Sequence, residues 1–226
     1  MKWRVQLDNI YIPSSGDITI EIPKNTAVTI YEPKKSISLS VSLHIKKNSS
    51  VKYVTGHANS IVITVILEEN SSFIQTFVQY NAEKREQRFD LQGKKSSIMI
   101  KGSYALSKDS KTYFTVLQRH QAPDTISSTE IKSVLDDKAQ LDYRGTIVVE
   151  ENACHSKAHQ QNKNLIVSSH AQAFSLPILE ALTNDIQCGH GSATSYINDN
   201  HLFYLASRGI NTEQAKKMII HGFITN

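Results

Sequence analysis

The sequence is poor in the glycine patterns that bind phosphates or form nucleophile turns. Only nine of its 226 residues are glycine, and none belongs to a G-x-x-x-x-G-K-[ST], G-x-G-x-x-G or G-x-S-x-G pattern. The zinc-protease pattern H-E-x-x-H does not occur either. The sequence therefore gives no support to nucleotide binding or to standard hydrolase chemistry.

Cysteines and long apolar runs are equally scarce. The chain has two cysteines, Cys154 and Cys188, and its first residues lack the apolar block of roughly 7–15 residues that marks a secretory signal. No run approaches the ~18 consecutive apolar residues of a membrane span. We therefore expect reduced thiols, no membrane partner and a cytoplasmic location, or an organelle stroma or matrix if the source is eukaryotic.

A concentrated basic segment is also missing. The 25 Lys and Arg against 21 Asp and Glu give a net charge of +4. Adjacent basic residues come as pairs, such as Lys46-Lys47 and Lys94-Lys95, with acidic residues between them. Nucleic-acid-binding proteins concentrate their basic residues on one element. We therefore predict a solvated surface and no nucleic-acid partner.

Short alternating runs dominate the chain from Asp17 to about Ile186. Hydrophobic residues make up 39% of the sequence, below the usual 45–50% or so, which suits strands with one wet and one dry face. Alternation and β-branching predict strands in several stretches, including residues 18–22, 37–43, 61–67, 98–100 and 146–149. This region is predicted to be mainly β.

A polar turn recurs along the β region. The serine pair of Lys47-Asn48-Ser49-Ser50 returns after Asn70 and again after Lys95, so that Ser50 and Ser72 are 22 residues apart and Ser72 and Ser97 are 25 apart. Turns at this spacing, each followed by alternating apolar residues, are typical of a β-solenoid whose coils stack about 4.8 Å apart. A meandering β-sandwich is the alternative, because its strands are also evenly spaced.

The last forty residues or so change from strand to helix patterns. A short helix is predicted over residues 199–207, ended by Gly209, and Asn211 is a candidate N-cap for an amphipathic helix that includes residues 215–223. We predict a β body over residues 1–197 and a helical region over residues 198–226.

The first candidate metal-binding stretch is Cys154, His155 and His159. The two histidines would share a face if the segment were helical. The preceding residues 148–152 are typical of a strand that runs into a loop. An exposed polar loop is therefore the favoured interpretation.

Cys188 and His190 form the better candidate. In an extended segment, residues i and i+2 project to the same side, so the thiol and the imidazole can converge on one ion. Thiolate and imidazole both suit iron and zinc, and Gly189 and Gly191 allow close approach. Two ligands do not complete a site, so another chain or a distant residue would have to contribute. A structural role for the pair stays an alternative.

Several of these stretches together resemble a known family. Tyr204-x-x-Ser207-Arg208-Gly209-Ile210, joined to the Cys188-x-His190 strand, is a specific combination. It resembles the C-terminal signature of the SufB/SufD family of iron–sulfur cluster assembly proteins. The similarity is carried by residues 120–128, 143–147, 161–165, 185–191, 199–210 and 215–223.

The resemblance implies a right-handed parallel β-helix with a short α-helical C-terminal tail. It also implies a non-enzymatic scaffold subunit of SUF-type cluster assembly. In that family SufB and SufD pair through their β-helices, the ABC-type ATPase SufC docks on their helical regions, and clusters assemble at the SufB–SufD interface.

For individual residues, the resemblance implies that His190 and Cys188 lie at the interface and bind metal. It implies a transient iron–sulfur cluster there and no permanently bound cofactor. It further implies that Phe203, Tyr204 and Arg208 contribute to ATPase docking.

The closer match is to SufD. SufB carries a cysteine six residues before the proline of a strand that is predicted here to end at Pro177, and this chain has Ala171 there. SufB also has glutamate after the interface histidine, where this chain has the Gly191 of the SufD pattern Cys-x-His-Gly. The chain departs from the family in beginning directly on strands, in stopping at Asn226 soon after its second predicted helix, and in having Gly189 for the usual serine.

Two other functions remain open. A homodimeric, degenerate family member would organise partners without cluster chemistry. The β-helix also hosts carbohydrate-active enzymes, which need clustered carboxylates. The acidic residues here fall mostly in predicted turns, such as Glu68-Glu69 and Glu150-Glu151.

Overall fold

The alternating runs form strands over most of the chain. A computed structural model describes residues 2–4, 9–33 and 35–225. The strands of the first half are β1 (Lys2–Arg4), β2 (Asn9–Tyr11), β3 (Gly16–Ile22), β4 (Ala27–Tyr31), β5 (Ser36–Ile45), β6 (Ser50–Val54), β7 (Ala58–Leu67) and β8 (Ser72–Tyr80). Those of the second half are β9 (Lys84–Leu91), β10 (Ser97–Leu106), β11 (Lys111–His120), β12 (Ile126–Leu135), β13 (Gln140–Val149), β14 (Lys157–Ile166), β15 (Gln172–Ala181) and β16 (Gln187–Tyr196).

The strands alternate between two sheets. Sheet A holds the odd-numbered strands in order and sheet B holds the even-numbered strands in order. Each pair of neighbouring strands is parallel. One odd and one even strand therefore make a coil, and successive coils stack along one axis. The predicted parallel solenoid is confirmed, and the antiparallel sandwich is excluded.

The predicted turn repeat sets the register of the coils. Ser50 pairs with Ser72 and Ser72 with Ser97, as the 22- and 25-residue spacings required. Asn25, Asn48 and Asn70 take positive φ angles of 57°, 59° and 55°, a conformation that asparagine tolerates better than most residues. Their side-chain amides stack, with Asn70 donating to Asn48 and Asn48 donating to Asn25, both at 3.0 Å.

One predicted strand limit is wrong. β15 continues past Pro177 to Ala181, because the proline nitrogen lies on the unpaired edge, where no neighbouring strand needs its missing N–H. The last strand, β16, lies within the β body predicted over residues 1–197. The polar, glycine-containing sequence of β16 hides it from a search for apolar alternation.

The core consists of inward-facing side chains, and each one stacks on the side chain at the matching position of the preceding coil. Its middle is aromatic: Phe77, Tyr104, Phe114 and Tyr143 follow one another with ring centroids 5.5–6.2 Å apart. Gly102 pairs with Phe77 in the register, and its lack of a side chain makes room for that ring.

One ion pair is buried in the same core. An Nη atom of Arg85 lies 3.6 Å from Oε2 of Glu32, and both side chains are almost fully buried. Burial raises the pKa of the Glu32 carboxyl although the Arg85 charge opposes the rise. The backbone N–H of Gly56 donates to Glu32 at 2.9 Å, and the Arg85 guanidinium lies 5.0 Å from the Phe77 ring centre.

Two helices follow the last strand, α1 (Asp199–Ser207) and α2 (Thr212–Thr225). Gly209 has φ 81° after the C-cap of α1, and Asn211 accepts the Gln214 N–H at 2.9 Å, so the predicted caps are confirmed. α2 packs on β12 with Ala215 buried, whereas α1 buries none of its residues. Neither helix is long and apolar enough to cross a membrane.

Replacing Gly102 by alanine is expected to lower the free energy of unfolding by about 1–3 kcal/mol, because the new methyl group overlaps the Phe77 ring. Chemical denaturation measures the change. Gly191→Ala is the matched control, since a Cβ at Gly191 meets no atom within 4 Å. Equal stabilities of the two variants would contradict the close packing of Gly102 on Phe77.

Candidate functional site

The solenoid ends in a coil that is open on one side. β15 pairs with β13 and β16 with β14, and within the described residues neither has a strand on its other edge. We call these two strands the end coil. In the interior coils, inward-facing side chains have a neighbouring coil in both directions along the axis, but in the end coil they have one in a single direction.

Cys188 and His190 lie on this open side. In the register Cys188 stands over Ala158 and His190 over Gln160, and both of those lower residues are buried inward-facing side chains. Cys188 and His190 therefore continue the inward columns, on the same face of β16. Cys188 is half-buried and His190 is exposed.

The pair offers one sulfur and one nitrogen donor to a metal. Partial burial raises the pKa of the Cys188 thiol, with a hydrogen bond involving the Ala158 backbone acting in the opposite direction. The thiol form is therefore favoured until a cation compensates the charge of the thiolate. Across residues 2–4, 9–33 and 35–225, no three His, Cys, Asp or Glu side chains come together as a metal site. The donors present fit iron chemically, and a complete set would need ligands from another chain.

Cys154, His155 and His159 do not converge. His155 occupies a turn with φ 58° and bridges two carboxylates, with Nδ1 3.5 Å from Asp124 and Nε2 2.8 Å from Asp185. His159 lies on β14 and pairs with Gly189 in the register, on the outward face of sheet B. Cys154 and His155 lie in a turn and His159 lies on a strand. The favoured interpretation as a polar loop is therefore confirmed for His155, and a helical pair of histidine ligands is excluded.

The end coil has an apolar feature that the sequence reading did not pick out. Phe174, Leu176 and Ile178 face outward from β15 and are 40–52% exposed. Leu179, which faces inward, is also partly exposed because no coil covers it. The signal in the sequence is that residues 172–181 have apolar residues at both odd and even positions. A strand with one solvated face has polar residues at every second position instead.

Comparison with known proteins identifies the family. A family model described as "SUF system FeS cluster assembly, SufBD core domain" matches residues 13–223. The chain belongs to the SufBD family. The resemblance found in the sequence is thus confirmed over nearly the whole chain.

Curated relatives include both paralogues. SufD of Escherichia coli is 36% identical over 92 residues, which cover 41% of this chain and 22% of SufD. SufB of Bacillus subtilis is 24% identical over 227 residues, covering 97% of this chain and 49% of SufB. A SufBD family protein of Synechocystis is 24% identical, covering 91% of this chain and 51% of that protein. The chain spans about half the length, or less, of these relatives.

Within this SufBD core, the helical tail exposes aromatic side chains. Phe203 and Tyr204 of α1 are 77% and 57% exposed. The Arg208 guanidinium lies 5.5 Å from the Tyr204 ring centre, within range of a cation–π contact. The three residues predicted for ATPase docking therefore lie between the middle of α1 and its C-cap, and Tyr204 contacts Arg208.

His120, the histidine of another SufBD-like stretch, is fully buried at the end of β11. Its Nδ1 lies 2.7 Å from the Thr125 hydroxyl and its Nε2 lies 2.8 Å from the Ser127 hydroxyl. The Thr125 hydroxyl in turn lies 2.7 Å from that of Ser156. Burial lowers the pKa of His120 to about 4. This network joins two successive coils, β11–β12 and β13–β14, at their turns, which gives His120 a structural role.

The buried His120 makes stability depend on pH. The imidazole is neutral in the folded chain down to about pH 4, whereas an unfolded histidine takes up a proton near pH 6.5. The unfolded state therefore binds more protons in this window, and the free energy of unfolding falls as the pH falls. The expected contribution of His120 to this loss is about 3 kcal/mol between pH 6.5 and 4.

The measurement is chemical denaturation across this pH range, compared with His120→Gln. Glutamine offers a donor and an acceptor to the two hydroxyls but does not titrate. The variant is expected to show a shallower loss of stability on acidification. Parallel pH profiles for the two proteins would show that His120 titrates normally in the folded state.

Proposed function

We propose that this SufBD family chain is a non-enzymatic scaffold subunit of iron–sulfur cluster assembly, acting in the cytoplasm. It pairs with a SufB-like chain through its end coil and presents His190 and Cys188 to the cluster being built. The cluster is cargo and not a resident cofactor. The observation that carries the proposal is the open end of the solenoid, where the inward columns finish on these two side chains.

Three properties of the end coil support pairing with another chain. Both of its strands have a free edge, which offers backbone donors and acceptors. β15 adds the exposed apolar side chains Phe174, Leu176 and Ile178, which release water when covered. Cys188 and His190 lie on the same open side, so a partner that covers it brings its own ligands to them.

The proposed ATPase contact is on α1. Phe203 and Tyr204 are large and exposed, and Tyr204 lies beside Arg208. Aromatic residues and arginine are the types that most often dominate binding energy in interfaces. Because Phe203 and Tyr204 are exposed and α1 has no fully buried residue, these side chains are available to contact a second protein. The proposed partner is a SufC-like ABC ATPase.

His190→Ala is expected to slow cluster formation by about tenfold or more, since even changes around a metal ligand cost roughly 10–100-fold in metal affinity. The assay mixes the chain with its SufB-like and SufC-like partners, iron and a sulfur source, and follows cluster absorbance. Cys188→Ser is expected to have a smaller effect in the same direction.

Ser192→Ala is the matched control for this assay. Ser192 lies on β16, faces inward and is exposed like His190, but it carries no strong metal-binding group. Full activity in His190→Ala would remove His190 from the mechanism. Native mass spectrometry of the same mixture distinguishes the proposed complex from the alternative, a homodimer that organises partners without cluster chemistry.

The double substitution Phe203→Ala and Tyr204→Ala is expected to weaken ATPase binding by about tenfold or more, because it removes two exposed aromatic anchors. Calorimetry or surface-based binding measures the change. Tyr113→Ala is the control, since Tyr113 is similarly exposed, at 54%, but lies on β11. Equal losses in both variants would show that α1 is not the docking element.

A further inference from the structure

The two free edges of the end coil differ in the hydrogen bonds that they offer. On β15, the Gln172 N–H donates to the Ala139 carbonyl at 2.9 Å and the Leu182 N–H donates to the Val149 carbonyl at 2.8 Å. Successive residues of a strand point their N–H groups to opposite edges. The even-numbered residues of β15 therefore point toward β13, and the odd-numbered residues point to the free edge.

Pro177 is odd-numbered and stands at the middle of this free edge. Its nitrogen faces away from β13 and carries no hydrogen, so the edge offers N–H groups at Ala173, Ser175, Leu179 and Ala181 but none between Ser175 and Leu179. The register with β13 is unbroken through Gly145↔Pro177, as expected when the proline nitrogen is on the unpaired side.

The free edge of β16 has no such gap. The Gln187 N–H donates to the Ser156 carbonyl at 2.9 Å and the Ile197 N–H donates to the Ile166 carbonyl at 3.1 Å. The odd-numbered residues of β16 therefore point toward β14. Five N–H groups face the free edge without interruption: those of Cys188, His190, Ser192, Thr194 and Tyr196.

Apart from the proline, β15 has the properties of a template for indiscriminate strand addition. It is ten residues long and has apolar side chains exposed on both faces. Its sequence contains a single charged residue, Glu180. Long, exposed, apolar edges of this kind add other strands and aggregate unless a charge, a bulge or a proline interrupts them. Pro177 occupies the central position at which one interruption divides the edge into two short pieces.

We propose that Pro177 determines the specificity of the end coil: it prevents a continuous strand from adding to β15 and confines continuous backbone pairing with another chain to β16. β15 then contacts the partner through its side chains. The proposal rests on the proposed pairing through the end coil, and it deepens that proposal by naming the strand that carries the backbone contacts, which is the strand of Cys188 and His190.

A second copy of the chain shows how the interruption acts. In any pairing that includes residue 177, the partner carbonyl opposite it receives no N–H. Two copies that pair through β15 lose one hydrogen bond for each proline. Each loss leaves an acceptor facing a group that cannot donate, which costs more than a missing contact at the surface.

The test uses the chain alone, so its outcome does not depend on whether a SufB-like partner exists. Pro177→Val and Pro177→Ala both restore the N–H. Each is expected to strengthen self-association by about tenfold or more, because two interchain hydrogen bonds are regained. Sedimentation velocity over a range of protein concentrations measures the association, and circular dichroism checks that each variant is folded. The alanine variant keeps the test valid if valine disturbs the fold.

Ala181→Val is the matched control. Ala181 lies on the same strand and its N–H already faces the free edge, so valine adds apolar surface without adding a donor. Self-association equal to that of the natural chain is expected. Hydrogen exchange of the associated Pro177→Val protein should show new protection at residues 173–181. Unchanged association in both proline variants, an equal rise in Ala181→Val, or protection elsewhere would overturn the proposal.

Discussion

The structure depends on one constraint, the in-register stacking of parallel coils. Each inward side chain must fit against the side chain at the same position one coil below, so volume is balanced from coil to coil. Gly102 accommodates the Phe77 ring of the preceding coil, and within one coil Gly145 of β13 leaves room for the amide of Gln160 on β14. The stack of coils also has an end. At the end coil the last set of inward side chains is left uncovered, and that set includes Cys188 and His190.

The composition of the core changes along the axis. The early coils are filled by residues such as Ile20 and Val65, whereas the later ones bury Gln118, Gln160 and Asn164. The buried amides bond to one another, for example from Gln118 to Gln160 at 3.0 Å, and Asn164 also donates to Ser175 and Thr194 of the end coil. The network is only partly satisfied, because Oε1 of Gln118, Nε2 of Gln160 and Oδ1 of Asn164 are buried without a hydrogen-bond partner among the described residues. A polar core near the end also lowers the free-energy cost of leaving its last layer exposed to water.

The sequence was sufficient for features that depend on neighbours along the chain. The turn asparagines, the caps of α1 and α2, and the shared side of Cys188 and His190 all follow from spacings of a few residues. It was not sufficient for contacts between residues of different coils that are about 30 residues or more apart in the sequence. His155 bridges Asp124 and Asp185 because three turns stack, and the Arg85–Glu32 pair forms for the same reason. The course of β15 beyond Pro177 was missed because proline is acceptable only on a free edge, and edge position is a property of the whole sheet.

The end coil combines two surfaces with different chemistry, and the difference bears on the order of events in the proposed assembly. The apolar outward side chains of β15 can bind a partner without any metal, whereas the Cys188 thiol is disfavoured as a thiolate by its partial burial. Covering the coil removes more water and raises the thiol pKa further, unless a cation is present. In the proposed assembly, pairing of the chains alone therefore disfavours the Cys188 thiolate, and a cation such as iron would favour it. His190 is exposed on the same face of β16, so a metal ion can reach its imidazole before the chains pair.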